Sequence, residues 1–334
     1  MSSWLSLNDL LTVQRLQTRG TQLDLERAVL WPHTPLHAAL MPRLPFSMVS
    51  AETIVLYSGS AGHSRAVGFL QARERRGRPE ADIVFIAPAL DADEDAVSIW
   101  YRLLAECARQ TGERGGQRLF AQVASGNGVE EVFRQAGFSS YAREDVYRLT
   151  DWPKHLAKSN SLRHQRARDG WMLLRLYAQF TPRPVQIAEG MLSPEGQGGK
   201  MGDWWDQSSG SGYILEAESE VIGAVRVRRG SAAYWLRFWL HPQAQEQGET
   251  LVRGALSLLW AAPHHPIYCS VRDYESGLRS DLQAAGFEYL LTRSLLVKHT
   301  TVRAKEPLIK LMPALEKRPE PAASVSHLRS KLSK

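Results

Sequence analysis

The chain is 334 residues long, with 43% hydrophobic and 23% charged residues, values of a globular protein with room for two domains of ordinary size. No apolar stretch reaches the ~18–20 residues a membrane span needs, and the start, MSSWLSLNDLLTVQRL, has neither the basic opening nor the continuous apolar core of a signal peptide. The net charge of +6 is concentrated in residues 151–170, with five Lys/Arg against two Asp/Glu, and in residues 304–334, with seven against three. The rest of the chain is close to neutral, which argues against a basic nucleic-acid-binding face.

Residues 1–50 read as helices and loops broken by Pro32, Pro35, Pro42 and Pro45. TIVLYSG (53–59) reads as a strand, the Gly-His-Ser stretch at 62–64 as a turn, and AVGFLQARERRG (66–77) and ADIVFIAP (81–88) as further strands. An amphipathic helix follows from Asp93 to Arg114, with Val97, Ile99, Trp100, Leu103, Leu104 and Cys107 as its apolar stripe. Asp91, Asp93, Glu94 and Asp95 stand at its start, where carboxylates suit the positive end of the helix dipole. Then come the strand RLFAQV (118–123), a short helix, Ala-Gly-Phe at 136–138 and a closing strand, YAREDVYRL (141–149).

Residues 151–170 are polar and basic and predict a linker, and WMLLRLY (171–177) predicts a strand. The stretch 189–212 is rich in Gly and Ser yet holds Met191, Met201, Trp204 and Trp205, a loop suited to close over something apolar. YILEAES (213–219) and VIGAVRVRR (221–229) predict a hairpin. AAYWLRFWLHP (232–242), a helix from Glu249 to Trp260, the strand IYCSV (267–271), a short helix and Ala-Gly-Phe at 285–287 follow. Beyond Arg303 the chain is rich in Pro, Lys and Ser and predicts a disordered tail with a short helix near Ile309–Leu315. Cys107 and Cys269 sit inside apolar segments of different halves. They predict core thiols and a reducing, cytoplasmic setting.

One order of elements is thus written twice. Gly223 follows Gly68 by 155 residues, Pro242 follows Pro88 by 154, and Gly286 follows Gly137 by 149. A long fixed period predicts two copies of one domain, residues 1–150 and 171–303. Each copy resembles the GNAT superfamily of acyl-CoA-dependent N-acyltransferases. The resemblance is strongest in the hairpin with Gly in its second strand (Gly68, Gly223), the strand–loop–helix (81–107, 232–260) and the strand–helix–Ala-Gly-Phe–strand ending. It implies an α/β (α+β) fold of two tandem GNAT-like domains, each a mixed, splayed central sheet flanked by helices. It also implies acetyl-CoA as acyl donor and an amine as acceptor. No Cys/His spacing suits a metal, and there is no P-loop and no G-x-S-x-G elbow.

In the family, a loop written Gln/Arg-x-x-Gly-x-Gly/Ala opens the central helix and holds the coenzyme diphosphate on backbone N–H groups. Counted from Pro242, the second copy reads Gln245-Glu246-Gln247-Gly248-Glu249-Thr250, so Gln245 and Gly248 match and Thr250 departs. Counted from Pro88, the first copy reads Asp91-Ala92-Asp93-Glu94-Asp95-Ala96, whose four carboxylates oppose a diphosphate. The second copy is therefore the expected coenzyme site, with Leu240 ending the strand before it. The first is expected to be degenerate.

Active members of the family often carry a general-acid Tyr four residues before the Gly of the Gly-Phe pair. Here those positions are Phe133 and Leu282. Candidates for acid or base in the second copy are His241, Tyr274, Glu216, Glu218 and Asp273, with His241 and Tyr274 foremost. Alternation puts Trp235, Arg237, Trp239 and His241 on one face of their strand. That face either lines a cleft or is covered by helices, with Arg237 paired internally. Trp204, Trp205 and Trp239 are the candidate acceptor contacts. The functional expectation is an N-acyltransferase, most simply an acetyltransferase. The alternative is a non-catalytic GNAT-fold binding or scaffolding protein, which the missing tyrosines and the acidic first loop favour.

Overall fold

The computed structural model describes residues 5–41, 51–59, 65–75, 77–126, 128–156, 159–190, 210–218, 220–275 and 277–300. The predicted tail, Trp204–Trp205 and most of the 189–212 loop lie outside the described residues. The first half holds, in chain order, α1 (Leu7–Leu16), β1 (Thr21–Gln22), α2 (Leu25–Leu30), α3 (Pro35–Leu40), β2 (Glu52–Ser58), β3 (Arg65–Glu74), β4 (Glu80–Ala87), α4 (Ala96–Glu113), β5 (Arg118–Ala124), α5 (Gly128–Gln135) and β6 (Ser139–Leu149). The second holds β7 (Leu162–His164), α6 (Gly170–Phe180), α7 (Arg183–Ala188), β8 (Ser211–Ala217), β9 (Glu220–Arg229), β10 (Tyr234–Leu240), α8 (Gly248–Leu259), β11 (Ile267–Arg272), α9 (Leu278–Ala284) and β12 (Glu288–His299).

The strands form one mixed sheet in the order β2-β3-β4-β5-β12-β6-β11-β10-β9-β8-β7, with β1 added beside β4. Its two parallel pairs are short. Glu80–Asp82 pair with Arg118–Phe120, and Tyr234–Arg237 pair with Ile267–Ser270. Past those residues the strands part, so each half carries a splay. The last strand of each half crosses into the other: β12 pairs antiparallel with β5, β6 pairs antiparallel with β11, and β6 and β12 pair with each other at the middle.

The repeated motifs have physical causes. Gly137 and Gly286 adopt φ of +86° and +90°, the left-handed conformation that ends α5 and α9. The next residue returns its N–H to the helix, Phe138 to Phe133 C=O at 3.0 Å and Phe287 to Leu282 C=O at 2.9 Å, and both phenyl rings are buried. At Gly68 a Cβ would lie 2.5 Å from Ile99 and 2.7 Å from the Ala87 carbonyl, so α4 packs on β3 only over a glycine. The α4 stripe buries Ile99, Trp100, Leu103, Leu104 and Cys107. Val97, expected in that stripe, is exposed. On α8 the buried set is Leu251, Val252, Ala255, Leu256 and Leu259. Both cysteines are buried and free, and burial pushes the Cys107 thiol up to about 12.

Two expectations need correction. Residues 171–177 are helix, within α6, and not strand. Leu173, Leu176 and Tyr177 are buried while Trp171 is exposed. That is a helical spacing, built from Leu, Met and Arg without a β-branched residue. The segment 151–170 is more than a linker. It contributes β7, which pairs with β8, and the buried Asp169, which accepts from Arg163 at 2.7 and 2.9 Å. Its Trp152 donates to the His265 carbonyl at 3.1 Å and stacks on His264. Among the described residues no helix is long and apolar enough to cross a membrane.

Candidate functional site

The two splays differ in what fills them. In the first half, β1 pairs with the edge that β4 exposes after parting from β5, Thr21 opposite Ile86 and Gln22 opposite Phe85. Leu23 N–H donates to the Val84 carbonyl at 3.0 Å, and Ala89 N–H to the Arg19 carbonyl at 2.6 Å. The N-terminal segment therefore covers that edge along its length. The following loop turns on itself, with Asp95 N–H donating to the Asp93 carboxylate at 2.9 Å.

In the second half, no described strand pairs with β10 beyond Arg237 on the β11 side. His241 N–H donates to Ile222 across β9, so by alternation the backbone groups of Leu240 face the open edge. The expectation of a strand covered on both faces holds for most of β10. Tyr234, Leu236 and Phe238 pack under α8, Trp235 packs with Leu30 and Val146, and Trp239 packs with Leu173 and Leu176 of α6. Arg237 is paired internally. Its guanidinium donates to both oxygens of Glu275 at 2.6 Å, and to the Ser270 carbonyl at 3.1 Å, where β10 and β11 separate.

A second buried pair stands beside it. Arg272, ending β11, donates to Glu189, which also accepts from the Tyr177 hydroxyl at 2.7 Å. Burial pushes the Glu189 carboxyl up, but Arg272 and Tyr177 more than offset this and hold it below the usual carboxylate range. Arg272 also donates to the Tyr274 hydroxyl at 2.7 Å. Burial raises the Tyr274 phenol to about 12, against the opposing pull of Arg272. Tyr274 therefore keeps its proton at neutral pH and suits an acid rather than a base.

His241 caps the short 3-10 turn after β10, its Nδ1 accepting from Gln243 N–H at 3.2 Å. That cap puts the proton of a neutral imidazole on Nε2, so the ring is arranged to donate there. Glu216 is tied to Arg163, and Asp273 accepts from Tyr274 N–H at 3.1 Å. Phe133 and Leu282, where the tyrosines are missing, are fully buried.

The loop Gln245–Thr250 is compact. Pro242–Gln247 form the 3-10 turn and Gly248 begins α8. A Cβ on Gly248 would stand 1.9 Å from the Asp281 carboxylate, and one on Gly277 would stand 3.2 Å from the side chain of Gln245. The glycine thus makes room for Asp281. Burial and then Glu249 raise the Asp281 carboxyl above its usual range. Glu246 and Glu249 lie in the same loop, both exposed. Sequence reasoning missed Asp281, Glu189, Arg272 and Glu275. Only Arg272 had a sequence signal, a charge directly ending the apolar run IYCSV.

The sequence matches no protein-family model and no curated protein sequence. Solved structures do match. A GCN5-related N-acetyltransferase from Sphaerobacter thermophilus aligns at 10% identity over 80% of this chain and 87% of its own, with a TM-score of 0.50. The fold is GNAT-like. A tandem GNAT protein from the clavulanic acid biosynthesis pathway aligns at 13% identity over 75% of this chain and 84% of its own, TM-score 0.43. A GNAT-family acetyltransferase from Colwellia psychrerythraea aligns at 11% over 79% and 88%, TM-score 0.41. At these identities the likeness concerns the fold, and the chemistry must be argued from this chain's own residues.

Proposed function

We infer that this chain is a tandem GNAT-like N-acyltransferase. In this reading residues 171–303 hold the acyl-CoA, and residues 1–150 are a degenerate copy that supports the fold. The observation that carries the reading is the contrast between the splays: β1 covers the β4 edge, while β10 presents Leu240 on an edge with no strand partner among the described residues. The amide-bearing arm of coenzyme A fits such an edge, because it can exchange backbone-type hydrogen bonds with a strand. The diphosphate end then lies toward the loop Gln245–Thr250, where Asp281 has to swing away from Gly248. The amine nitrogen forms the new bond to the acyl carbon as the carbon–sulfur bond breaks, Tyr274 protonates the departing thiolate, and the proton the nitrogen sheds is returned to the Tyr274 phenolate by way of solvent. His241 acts as an N–H donor rather than a base. Trp239 supports the strand beneath α6, and Trp204 and Trp205 are kept as the proposed acceptor contacts.

A second reading keeps the fold without chemistry. The carboxylate of Asp281 beside Gly248, and the buried Phe133 and Leu282, favour a binding or scaffolding protein. Calorimetric titration with acetyl-CoA separates the two. The enzyme reading expects saturable binding that leaves Asp93→Asn unchanged. No binding at millimolar coenzyme leaves only the module.

A further inference from the structure

Where β4 and β5 part, a cavity of about 190 Å³ opens against the start of α2. That is several times the ~30 Å³ share of one water molecule, so an anion of a few heavy atoms has room. Among the described residues, four arginines and three carboxylates line it. Three of the arginines are paired: Arg73 with Asp24 at 2.9 Å, Arg75 with Asp82 at 2.6 Å, and Arg228 with Glu26. Those pairs use every carboxylate of the lining. Arg27 makes no ion pair among the described residues, and it is the cation left over.

Two further polar groups of the lining lack partners. Arg228 Nε and Gln122 Oε1 are buried without a hydrogen bond among the described residues. An amide turned by half a rotation presents its NH₂ at the same point, so Gln122 can donate into the cavity. Burial, and then the neighbouring Arg73, pull Arg27 below the usual arginine range. Asp24 opposes this and Arg228 adds to it. Crowded guanidinium groups with one surplus positive charge and unmet donors form an anion-binding arrangement.

We propose that this cavity binds a small oxyanion, a carboxylate or phosphate group, on Arg27, Arg228 and Gln122. Arg27 belongs to α2 of the first half and Arg228 to β9 of the second, so the bound anion ties the halves together. One surplus cation matches a monoanionic carboxylate better than a phosphate dianion. No residue of this cavity belongs to the acyl-donor site inferred above, so the two readings fail independently.

The test is thermal-shift and calorimetric titration of the full chain at constant ionic strength, with sodium acetate, sodium phosphate and a sodium chloride control. The expected result is a saturable rise in Tm with acetate or phosphate and none with chloride. The stronger of the two names the source. Arg27→Gln and Gln122→Glu should weaken binding roughly tenfold or more, and Arg134→Gln, at an exposed arginine of α5, should leave it unchanged. If Arg27→Gln does not fold, Gln122→Glu decides alone. No saturable response to either oxyanion, an equal response to chloride, or unchanged affinity in the folded cavity variants overturns the proposal.

Discussion

Substituting Arg272→Met tests the reading of the buried charges directly. Arg272 and Glu189 have side chains 13% and 10% exposed, so the substitution leaves a carboxylate inside the protein with the Tyr177 hydroxyl as its one remaining hydrogen-bond donor among the described residues. Removing one partner of a buried pair costs about 3–5 kcal/mol. At roughly 2 °C per kcal/mol for a unit of this size, the Tm should fall by about 6–10 °C at pH 7. The dependence on pH has a definite sign. In the wild type the Glu189 carboxyl is depressed, so its contribution is present above the unfolded value and is lost as pH falls through the folded one. Without Arg272, burial dominates and raises the same carboxyl, so the penalty exists at neutral pH and fades as pH drops toward the unfolded value. The deficit of the variant should therefore shrink in melts run from pH 7 down to pH ~5. Arg272→Met/Glu189→Gln should recover most of the loss, because no charge is left unpaired. A deficit under about 1 kcal/mol, or one that does not change with pH, refutes the reasoning.

Three further outcomes follow from the same geometry. Tyr274→Phe should lower the acyl-transfer kcat by about 10²-fold or more and lower the Tm by about 3–6 °C, because it removes an acceptor of the buried Arg272; the wild-type rate should show no loss from this group below pH ~10, because burial holds its phenol up at about 12. Asp281→Asn should tighten acetyl-CoA binding about fivefold, the effect of removing roughly 1 kcal/mol of repulsion between charges ~4 Å apart in water. It should also raise the Tm at pH 7: the Asp281 carboxyl is elevated in the folded state, so its stabilising effect exists only at low pH and is lost as pH rises through that elevated value. Residues 1–160 and 161–302 expressed separately should each fail to give a cooperative melt, and co-expression should restore one, because β6 and β12 each complete the other half's sheet.

The repeat was legible because its marks are local. A left-handed glycine after a short helix, with a phenylalanine behind it, needs no knowledge of the rest of the chain. The hairpins, α4 and α8 were legible for the same reason, through alternation and helical spacing. The exchange of β6 and β12 was not, because a strand's alternation states which face is buried and not which neighbour it pairs with. The same limit hid β1: two residues of strand carry no pattern, yet they decide which splay is open. Residues 171–177 misled because a short apolar run fits a strand or a helix equally until its burial is known. Arg237 was legible as an internally paired charge in an apolar strand. Glu275, 38 residues onward, became its partner only through the fold.

The central claim is that the open splay lies in the second half. Amide hydrogen exchange on the full chain, with and without saturating acetyl-CoA, tests it residue by residue. The account predicts slowed exchange at Leu240 and through 245–251, with 84–92 unchanged beneath β1. Protection appearing at 84–92 instead, or nowhere along β10, would contradict it.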